Sequence, residues 1–295
     1  MSNLKYDYIN NNAGKLIIVF QGVVQEEKLE EALKYEYGTV EYIEAFDHYA
    51  SSYTHFRLTG NKNYDYLFIQ DNINHKVSWF LFDGDEFILP KLCNELDLFI
   101  SQNNYSRENV VTFGTSKGGF SARLFAYNCS NIGNIVCGIP IFQLHTFDVE
   151  NVAGKKSWQY HISSAIFGSK ERRKKTNEIV FEMFSSDKIL NSNIKEIIVC
   201  GWKDNYFVDD ILSYKNPNVT YVIETKIVGH APVIKHNYHE VSKILFSVFS
   251  EEQYLPKSDN FQIRVGPISG VEYFRYLKRN FKKALEKASS QTNLA

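Results

Sequence analysis

The segment over residues 110–119, V-V-T-F-G-T-S-K-G-G, constrains the fold of this chain more than any other part of the sequence. Its β-branched and aromatic residues predict a strand, a Gly-X-Ser-X-Gly core follows directly, and residues at helical spacing come next. This order is typical of a nucleophile elbow, in which a serine occupies a strained turn between a strand and a helix. The pattern therefore places Ser116 at the tip of such a turn.

The glycines around Ser116 favour the same interpretation. Gly114, Gly118 and Gly119 lack the side chains that would collide in so tight a turn. The N-terminus of the following helix also presents free backbone N–H groups and the positive end of the helix dipole, which can stabilise an oxyanion. A glycine-rich turn with an ordinary serine gives the same short match, so the strand before the motif and the helix after it decide between the two interpretations.

Further strands and helices follow from residue type and spacing. Runs rich in β-branched and aromatic residues predict strands over 15–20, 39–46, 64–70, 77–82, 135–139, 196–200 and 219–227. Apolar residues at helical spacing predict helices over 88–100, 121–128 and 237–249. Because strands and helices alternate, we expect an α/β fold with a mostly parallel sheet and helices on both faces.

Two regions depart from this alternation. Residues 155–190 are charged and lack strand patterning, which predicts helices above the sheet, in an insert over about 145–192. The pattern changes again after Pro256. We therefore expect a main α/β domain over residues 1–255 and a C-terminal extension over residues 256–295.

Composition excludes several classes of function. The chain has 33 basic and 34 acidic side chains, so it lacks the positive excess that bulk nucleic-acid binding requires. The first residues lack the apolar region of a secretory signal, and no run of about 18 apolar residues occurs, which predicts a soluble, cytoplasmic protein. The four cysteines lie in apolar segments without C-X-X-C spacing, and we expect buried free thiols at Cys93, Cys129, Cys137 and Cys200.

A serine nucleophile needs a base to take its proton and an acid to orient that base. In sheets of this type the acid and the histidine follow late strands, in the chain order Ser, Asp or Glu, His. Asp204 follows the predicted strand 196–200 in the segment G-W-K-D-N, and His230 follows the predicted strand 219–227 in G-H-A-P. The sequence therefore predicts a triad of Ser116, Asp204 and His230.

The acid has alternatives. Asp204 could act only as the N-cap of a helix, in which case Asp209 or Asp210 would supply the carboxylate.

The base has alternatives as well. His236 and His239 compete with His230, but they are spaced like residues of the last predicted helix, whereas Gly229 and Pro232 hold His230 in a loop. The remaining histidines show no metal-ligand spacing, so no metal site is predicted. They are His48, His55, His75, His145 and His161.

The oxyanion donors are expected at two places. One is the backbone N–H of Lys117, the residue after the nucleophile. The other is expected in the loop after the strand 15–20, at Gln21 or Gly22, although a Gln-Gly pair after a strand is equally compatible with a plain turn.

Three segments together resemble a known family. F-G-T-S-K-G-G, I-I-V-C-G-W-K-D-N-Y and T-K-I-V-G-H are similar to the catalytic blocks of bacterial capsular-polysaccharide O-acetyltransferases with an α/β-hydrolase fold. A more distant resemblance is to the acyltransferase-like component of accessory secretion systems. The family's blocks G-S-S-K-G-G, C-G-K-D-D-S-Y and G-G-H carry its serine, acid and histidine. Within a resemblance over about 15–250, these positions correspond to Ser116, Asp204 and His230.

The chain departs from the family pattern at three positions. Thr115 replaces a serine, Trp202 is an additional residue in the acid block, and Val228 replaces the first glycine before the histidine. The triad itself is retained.

The resemblance implies a serine-dependent acyltransferase. It would move an acetyl group from acetyl-CoA, as co-substrate, to a hydroxyl of a capsular or other envelope polysaccharide through an acetyl-Ser116 intermediate, with no bound cofactor. The same triad suits a carboxylesterase or polysaccharide deacetylase, because water and a sugar hydroxyl are similar nucleophiles. A third alternative is a non-catalytic scaffold of a polysaccharide assembly complex, which the intact triad argues against.

Two basic segments could bind anions. Residues 170–175, K-E-R-R-K-K, could contact the phosphates of coenzyme A or form a solvated helix face. Residues 271–288 predict a basic amphipathic helix. That helix could pack on the domain, or dock on a capsule-assembly partner or the inner face of an anionic membrane.

Overall fold

The computed structural model describes residues 3–22, 26–141, 192–204 and 216–268, together with the separate positions 176, 178–180, 182, 189, 214, 270–272, 274, 275 and 278.

Strands and helices alternate along the described residues. The strands are β1 (Tyr6–Ile9), β2 (Leu16–Phe20), β3 (Asp65–Ile69), β4 (Phe82–Asp83), β5 (Glu86–Phe87), β6 (Val110–Thr115), β7 (Asn134–Gly138), β8 (Lys195–Lys203), β9 (Val219–Val228) and β10 (Phe261–Val265). The helices are α1 (Glu26–Ala32), α2 (Val40–Ala50), α3 (Leu89–Gln102), α4 (Lys117–Asn128) and α5 (His230–Ser247). Short 3₁₀ turns occupy Phe56–Gly60 and Arg107–Asn109.

One eight-stranded sheet organises the molecule, in the order β1-β3-β2-β6-β7-β8-β9-β10. The six strands from β3 to β9 in that order are parallel, while β1 and β10 pair antiparallel at the two edges. β4 and β5 form a separate two-residue hairpin. The prediction of a mostly parallel sheet is therefore confirmed.

Side chains of the parallel strands are buried on both faces. In β2, Leu16, Ile18 and Phe20 belong to the core shared with α2, α3 and α4, while Ile17 and Val19 belong to the core shared with α5. This alternation follows from the two-residue period of a strand. The prediction of helices on both faces is confirmed as well.

The strand predicted over 39–46 is wrong, because the chain there forms α2. Thr39 is the N-cap, and its hydroxyl accepts a hydrogen bond from the Tyr42 amide at 3.3 Å. Tyr42, Phe46 and Tyr49 are buried on one helical face. Their spacing of four and three residues is that of a helix, although their aromatic character favours a strand.

The strand predicted over 77–82 is also wrong. Trp79 and Phe80 have φ of 54° and 62°, which a strand does not allow, and only Phe82 enters a β-ladder. The carboxylate of Asp71 accepts hydrogen bonds from the Ser78 amide and hydroxyl and from the Trp79 amide, at 2.9–3.0 Å. These bonds favour a compact loop in place of a strand.

Among the strands and α-helices of the described residues, four were not predicted: β1, α1, β5 and β10. β10 lies beyond residue 255 and completes one edge of the sheet, where the Trp202 indole donates a hydrogen bond to the Gln262 side chain at 3.1 Å.

The division into two domains stays a prediction. The predicted insert and the segment 170–175 lie outside the described residues except for isolated helical positions, as does most of the segment 271–288.

The cysteine prediction is confirmed, because all four thiols are buried and free. Burial raises the pKa of the Cys137 and Cys200 thiols. No helix in the described part of the chain combines the length and the apolar character needed to cross a membrane.

Candidate active site

Ser116 occupies a strained turn between β6 and α4. Its φ of 54° and ψ of −121° lie outside the regions that side chains with a Cβ favour, a conformation that costs on the order of 1–3 kcal/mol. Three backbone hydrogen bonds hold it. The Ser116 amide donates to the Gly138 carbonyl at 2.9 Å, and the Ser116 carbonyl accepts from the Phe120 amide at 3.1 Å and from the Ile141 amide at 3.3 Å. The side chain is half-buried.

The glycines of the elbow permit close approaches between backbones. A Cβ added at Gly114 would lie 2.2 Å from the carbonyl oxygen of Gly118, and one added at Gly118 would lie 2.4 Å from the carbonyl oxygen of Phe20. A Cβ at Gly119 would lie 3.0 Å from Pro140. The absence of side chains thus lets α4 pack directly against the ends of β6 and β2.

Ser116, His230 and Asp204 form one hydrogen-bonded chain. The Oγ of Ser116 is 2.9 Å from Nε2 of His230, and Nδ1 of His230 is 2.8 Å from Oδ2 of Asp204. Asp204 is 1% exposed, whereas the side chain of His230 is 19% exposed. A buried carboxylate therefore orients an imidazole that solvent or a substrate can reach.

Backbone at the end of β8 and the start of α5 fixes the acid and the base in this relation. The prediction that His230 lies in a loop before the last helix is wrong, because His230 is the first residue of α5, the helix that also carries His236 and His239. Gly229 has a φ of 97°, a value that favours glycine, and it directly precedes His230 at the start of α5. Its amide donates a hydrogen bond to the carbonyl of Lys203 at 3.1 Å, which joins the start of α5 to the end of β8.

The additional residue of the acid block lies at an irregularity in the sheet. The register of the β8–β9 ladder shifts between Gly201 and Lys203, with Trp202 between them. The Asp204 amide then donates to the Gly201 carbonyl at 3.1 Å. Between these pairs β8 advances two residues, from Gly201 to Lys203, while β9 advances four, from Glu224 to Val228, so the extra residues of the irregularity lie in β9 and not at Trp202.

The alternative residues do not reach Ser116, or they lie outside the described chain. Asp209 and Asp210 are outside it. His236 and His239 are exposed on α5, where they line a groove of about 580 Å³ beside the turn Phe56–Gly60. The structure thus brings together the residues first predicted as the triad.

The predicted oxyanion residues lie at adjacent strand ends. Lys117 is the first residue of α4, next to Ser116, while Gln21 and Gly22 follow β2, the neighbour of β6 in the sheet. The Gln21 side chain donates to the Ser52 carbonyl at 2.9 Å. The Gly22 amide donates to the Thr54 hydroxyl at 3.4 Å, a long bond that a developing oxyanion could replace.

An ion pair beneath the elbow was missed by the sequence reasoning. The ammonium of Lys117 lies 2.7 Å from Oδ2 of Asp71, and these side chains are only 1% and 2% exposed. Asp71 follows β3 by two residues. The only local signal was an acidic residue just after a predicted strand, and that signal does not identify its partner.

A second histidine lies beside the elbow. Nε2 of His55 is 3.1 Å from the hydroxyl of Thr115, and its ring packs edge-on against Phe113 and stacks on Tyr238. Burial, with a contribution from the Arg57 guanidinium, lowers the pKa of His55 to about 4. The neutral imidazole therefore persists at neutral pH.

The described ranges contain no group of three or more His, Cys, Asp or Glu side chains arranged to hold a metal ion.

Comparison with known proteins shows the fold. No protein-family model matches the sequence, and no curated protein matches it significantly. The structure is similar to a capsule O-acetyltransferase of Neisseria meningitidis serogroup A, with a TM-score of 0.52 and 17% identity over 84% of this chain and 92% of that one. It is also similar to fluorophosphonate-binding serine hydrolase F of Staphylococcus aureus, with a TM-score of 0.51 and 16% identity over 80% and 84%.

A third similarity is to the Gap123 glycosylation-associated complex of Streptococcus agalactiae, with a TM-score of 0.56 and 15% identity. The match covers 79% of this chain but only 42% of the length of that one. At such identities the similarity establishes an α/β-hydrolase fold. It agrees with the fold that the sequence resemblance implied.

Proposed function

We propose that the chain is a serine O-acetyltransferase that moves an acetyl group from acetyl-CoA to a hydroxyl of a capsular or other envelope polysaccharide. One observation carries the proposal: Ser116, His230 and Asp204 are joined by hydrogen bonds of 2.9 and 2.8 Å. Such an arrangement activates a serine for acyl transfer.

In the first half-reaction, Nε2 of His230 takes the proton of Ser116 while Oγ attacks the thioester carbonyl. The amide of Lys117 and an amide of the Gln21–Gly22 loop donate to the oxyanion. When the intermediate collapses, the carbon–sulfur bond breaks and His230 returns the proton to the leaving thiolate. The products are the free thiol of coenzyme A and an acetyl ester on Ser116.

In the second half-reaction, His230 takes the proton of an acceptor hydroxyl, whose oxygen attacks the acetyl-Ser116 ester. The same donors hold the second oxyanion. Collapse breaks the ester bond to Ser116, and His230 gives the proton back to Oγ. The product is an O-acetylated sugar, and Asp204 balances the charge of the imidazolium in both halves.

Two features support acetyl transfer over other acyl chemistry. The elbow, acid and histidine segments resemble the catalytic blocks of capsular-polysaccharide O-acetyltransferases. The fold is also shared with the meningococcal capsule O-acetyltransferase. Ester hydrolysis uses the same residues, and the likeness to the staphylococcal serine hydrolase keeps it as the competing activity.

The response to an acceptor polysaccharide distinguishes acetyl transfer from ester hydrolysis. A positioned hydroxyl can have an effective molarity of about 10⁵ M or more, so we expect it to outcompete water for the acetyl-enzyme. We therefore expect slow thiol release from acetyl-CoA alone and a large acceleration when an envelope polysaccharide is added, with new O-acetyl NMR signals on the polymer. Ser116→Ala is the control and should be inactive in both conditions.

The opposite outcome identifies a deacetylase. Rapid acetate release from a pre-acetylated polymer, with no thiol release from acetyl-CoA under any acceptor, would refute the transferase assignment.

The proposed reaction places the protein in the cytoplasm, where acetyl-CoA is available. The basic segment 271–288 is then a docking element for a capsule-assembly partner or the inner membrane surface. Co-sedimentation with vesicles containing phosphatidylglycerol, but not with phosphatidylcholine vesicles, would support docking on the membrane surface. Equal sedimentation with both would contradict it.

A further inference from the structure

The buried ion pair between Lys117 and Asp71 links the strand ends that surround the elbow. The Lys117 ammonium is 2.7 Å from Oδ2 of Asp71 and 3.5 Å from the carbonyl oxygen of Gln21. These residues follow β6, β3 and β2, which are adjacent in the order β3-β2-β6. One cation therefore connects the carboxyl ends of three neighbouring parallel strands.

The carboxylate of Asp71 is fully engaged in this position. Oδ1 accepts hydrogen bonds from the Ser78 amide and hydroxyl, and Oδ2 accepts one from the Trp79 amide in addition to the ammonium. The loop that supplies these donors is itself packed against α4, because the Trp79 ring contacts the ring of Phe120 edge-on at 5.4 Å. The anion is thus fixed from several sides.

Stability alone does not account for such a pair. Removing two charges from water can cost more than their attraction returns, and well-packed apolar residues are often equally or more stabilising at such sites. The pair nevertheless lies directly after the nucleophile. Its position points to a role in the geometry of the site.

That geometry concerns the two predicted oxyanion donors. One is the backbone amide of Lys117, and the other belongs to the Gln21–Gly22 loop, whose carbonyl faces the Lys117 ammonium. Each donor must lie about 2.7–3.1 Å from the developing oxyanion. The distance between the two donors is therefore set by the contacts that hold the Gln21–Gly22 loop against the start of α4.

We propose that the Lys117 side chain is a positioning residue that, paired with Asp71, fixes the two oxyanion donors relative to each other. This inference rests on the proposed acyl-transfer function for its kinetic consequence, but its structural consequence can be measured independently. The backbone of Lys117 binds the oxyanion, and its side chain holds the opposite donor loop in place.

The kinetic test uses Lys117→Met, which keeps the length of the side chain and removes the charge, and Lys117→Met/Asp71→Asn, which also removes the orphaned carboxylate. Misplacing catalytic groups by about 1 Å can cost about 10²-fold, so we expect kcat to fall by about 10- to 100-fold with KM nearly unchanged. A group that only supports the fold would not produce this split between kcat and KM.

Arg123→Met is the matched control. Arg123 is the other buried cation of α4, and its Nε lies 2.6 Å from Oε1 of Glu196, away from the donor loops. Its removal should lower thermal stability while kcat changes less than about threefold. Equal kcat losses in the Lys117 and Arg123 variants would overturn the inference.

Hydrogen exchange provides the measurement that is independent of activity. In the double variant, amides of 16–22 and 117–120 should exchange at least about tenfold faster relative to 134–138, a change absent from Arg123→Met. Uniform acceleration across all three segments, or none, would overturn the inference even in a variant too unstable for kinetics. A wild-type chain inactive toward acetyl-CoA and p-nitrophenyl acetate would refute the proposed function, and the exchange result would still decide the role of the pair.

Discussion

Replacement of Gly118 by alanine tests how the approach of α4 to β2 controls the site. The new Cβ would lie 2.4 Å from the Phe20 carbonyl oxygen and 3.1 Å from the Gln21 carbonyl carbon. Both are backbone atoms, so no side-chain rotation can relieve the contact. Alanine gains about 1 kcal/mol over glycine in a helix, but overpacking costs about 1–3 kcal/mol, so we expect a net loss of up to about 2 kcal/mol.

Gly133→Ala is a matched control for this loss. Its Cβ would lie 2.5 Å from the carbonyl oxygen of Arg107, a similar clash, but at the amino end of β7, opposite the end where Ser116 lies. Both variants should therefore melt at a lower temperature, by about 2–4 °C for each kcal/mol lost in a chain of this size.

Activity should separate the two variants. In Gly118→Ala the end of β2 must move away from α4, which displaces the Gln21–Gly22 donors, and kcat/KM should fall by about 10²-fold. In Gly133→Ala it should change less than about threefold. Thiol release from acetyl-CoA, measured well below both melting midpoints, gives the comparison. Equal activity losses at equal stability would refute the assignment of the second oxyanion donor to this loop.

Three further predictions concern the titratable side chains. The pKa of His55 is about 4 in the folded chain, below the ordinary value near 6.5. Between these pH values the unfolded chain therefore binds a proton that the folded chain does not bind. The free energy of unfolding should fall by up to about 3 kcal/mol as pH drops from about 6.5 to 4. Chemical denaturation should show a flatter pH profile for His55→Gln but not for the exposed His48→Gln. His230→Ala should abolish acyl transfer while His236→Ala stays active, and the reverse pattern would show that the base is misassigned. Asp204→Asn should lower kcat by about 10⁴-fold without unfolding the protein, and kcat within about tenfold of wild type would exclude Asp204 as the acid.

The local sequence predicted those strands of the sheet that are buried on both faces. β6, β8 and β9 read as apolar runs because both of their faces meet helices. The same reasoning failed for α2, where Tyr42, Phe46 and Tyr49 combine strand-like residue types with helical spacing. It failed for residues 77–82 because the carboxylate of Asp71, seven residues before Ser78 and eight before Trp79, accepts hydrogen bonds from the amides of that loop.

The candidate site likewise contains residues that the sequence predicted and a contact that it did not predict. Ser116, Asp204 and His230 each follow a recognisable strand, so local patterns and chain order were sufficient to select them. The pairing of Lys117 with Asp71 depends on β3, β2 and β6 being adjacent, which is a property of sheet order. Sequence spacing carries no information on that order, so this contact required the structure.

Covalent acetylation of Ser116 is the most direct test of the central claim. The wild-type protein should be mixed with acetyl-CoA without acceptor, quenched rapidly and analysed by intact mass spectrometry and peptide mapping. We predict a mass increase of one acetyl group, located on the peptide that contains Ser116, and no increase in Ser116→Ala. Thiol release by the wild-type protein without acetylation of Ser116, or the same modification in Ser116→Ala, would contradict the account.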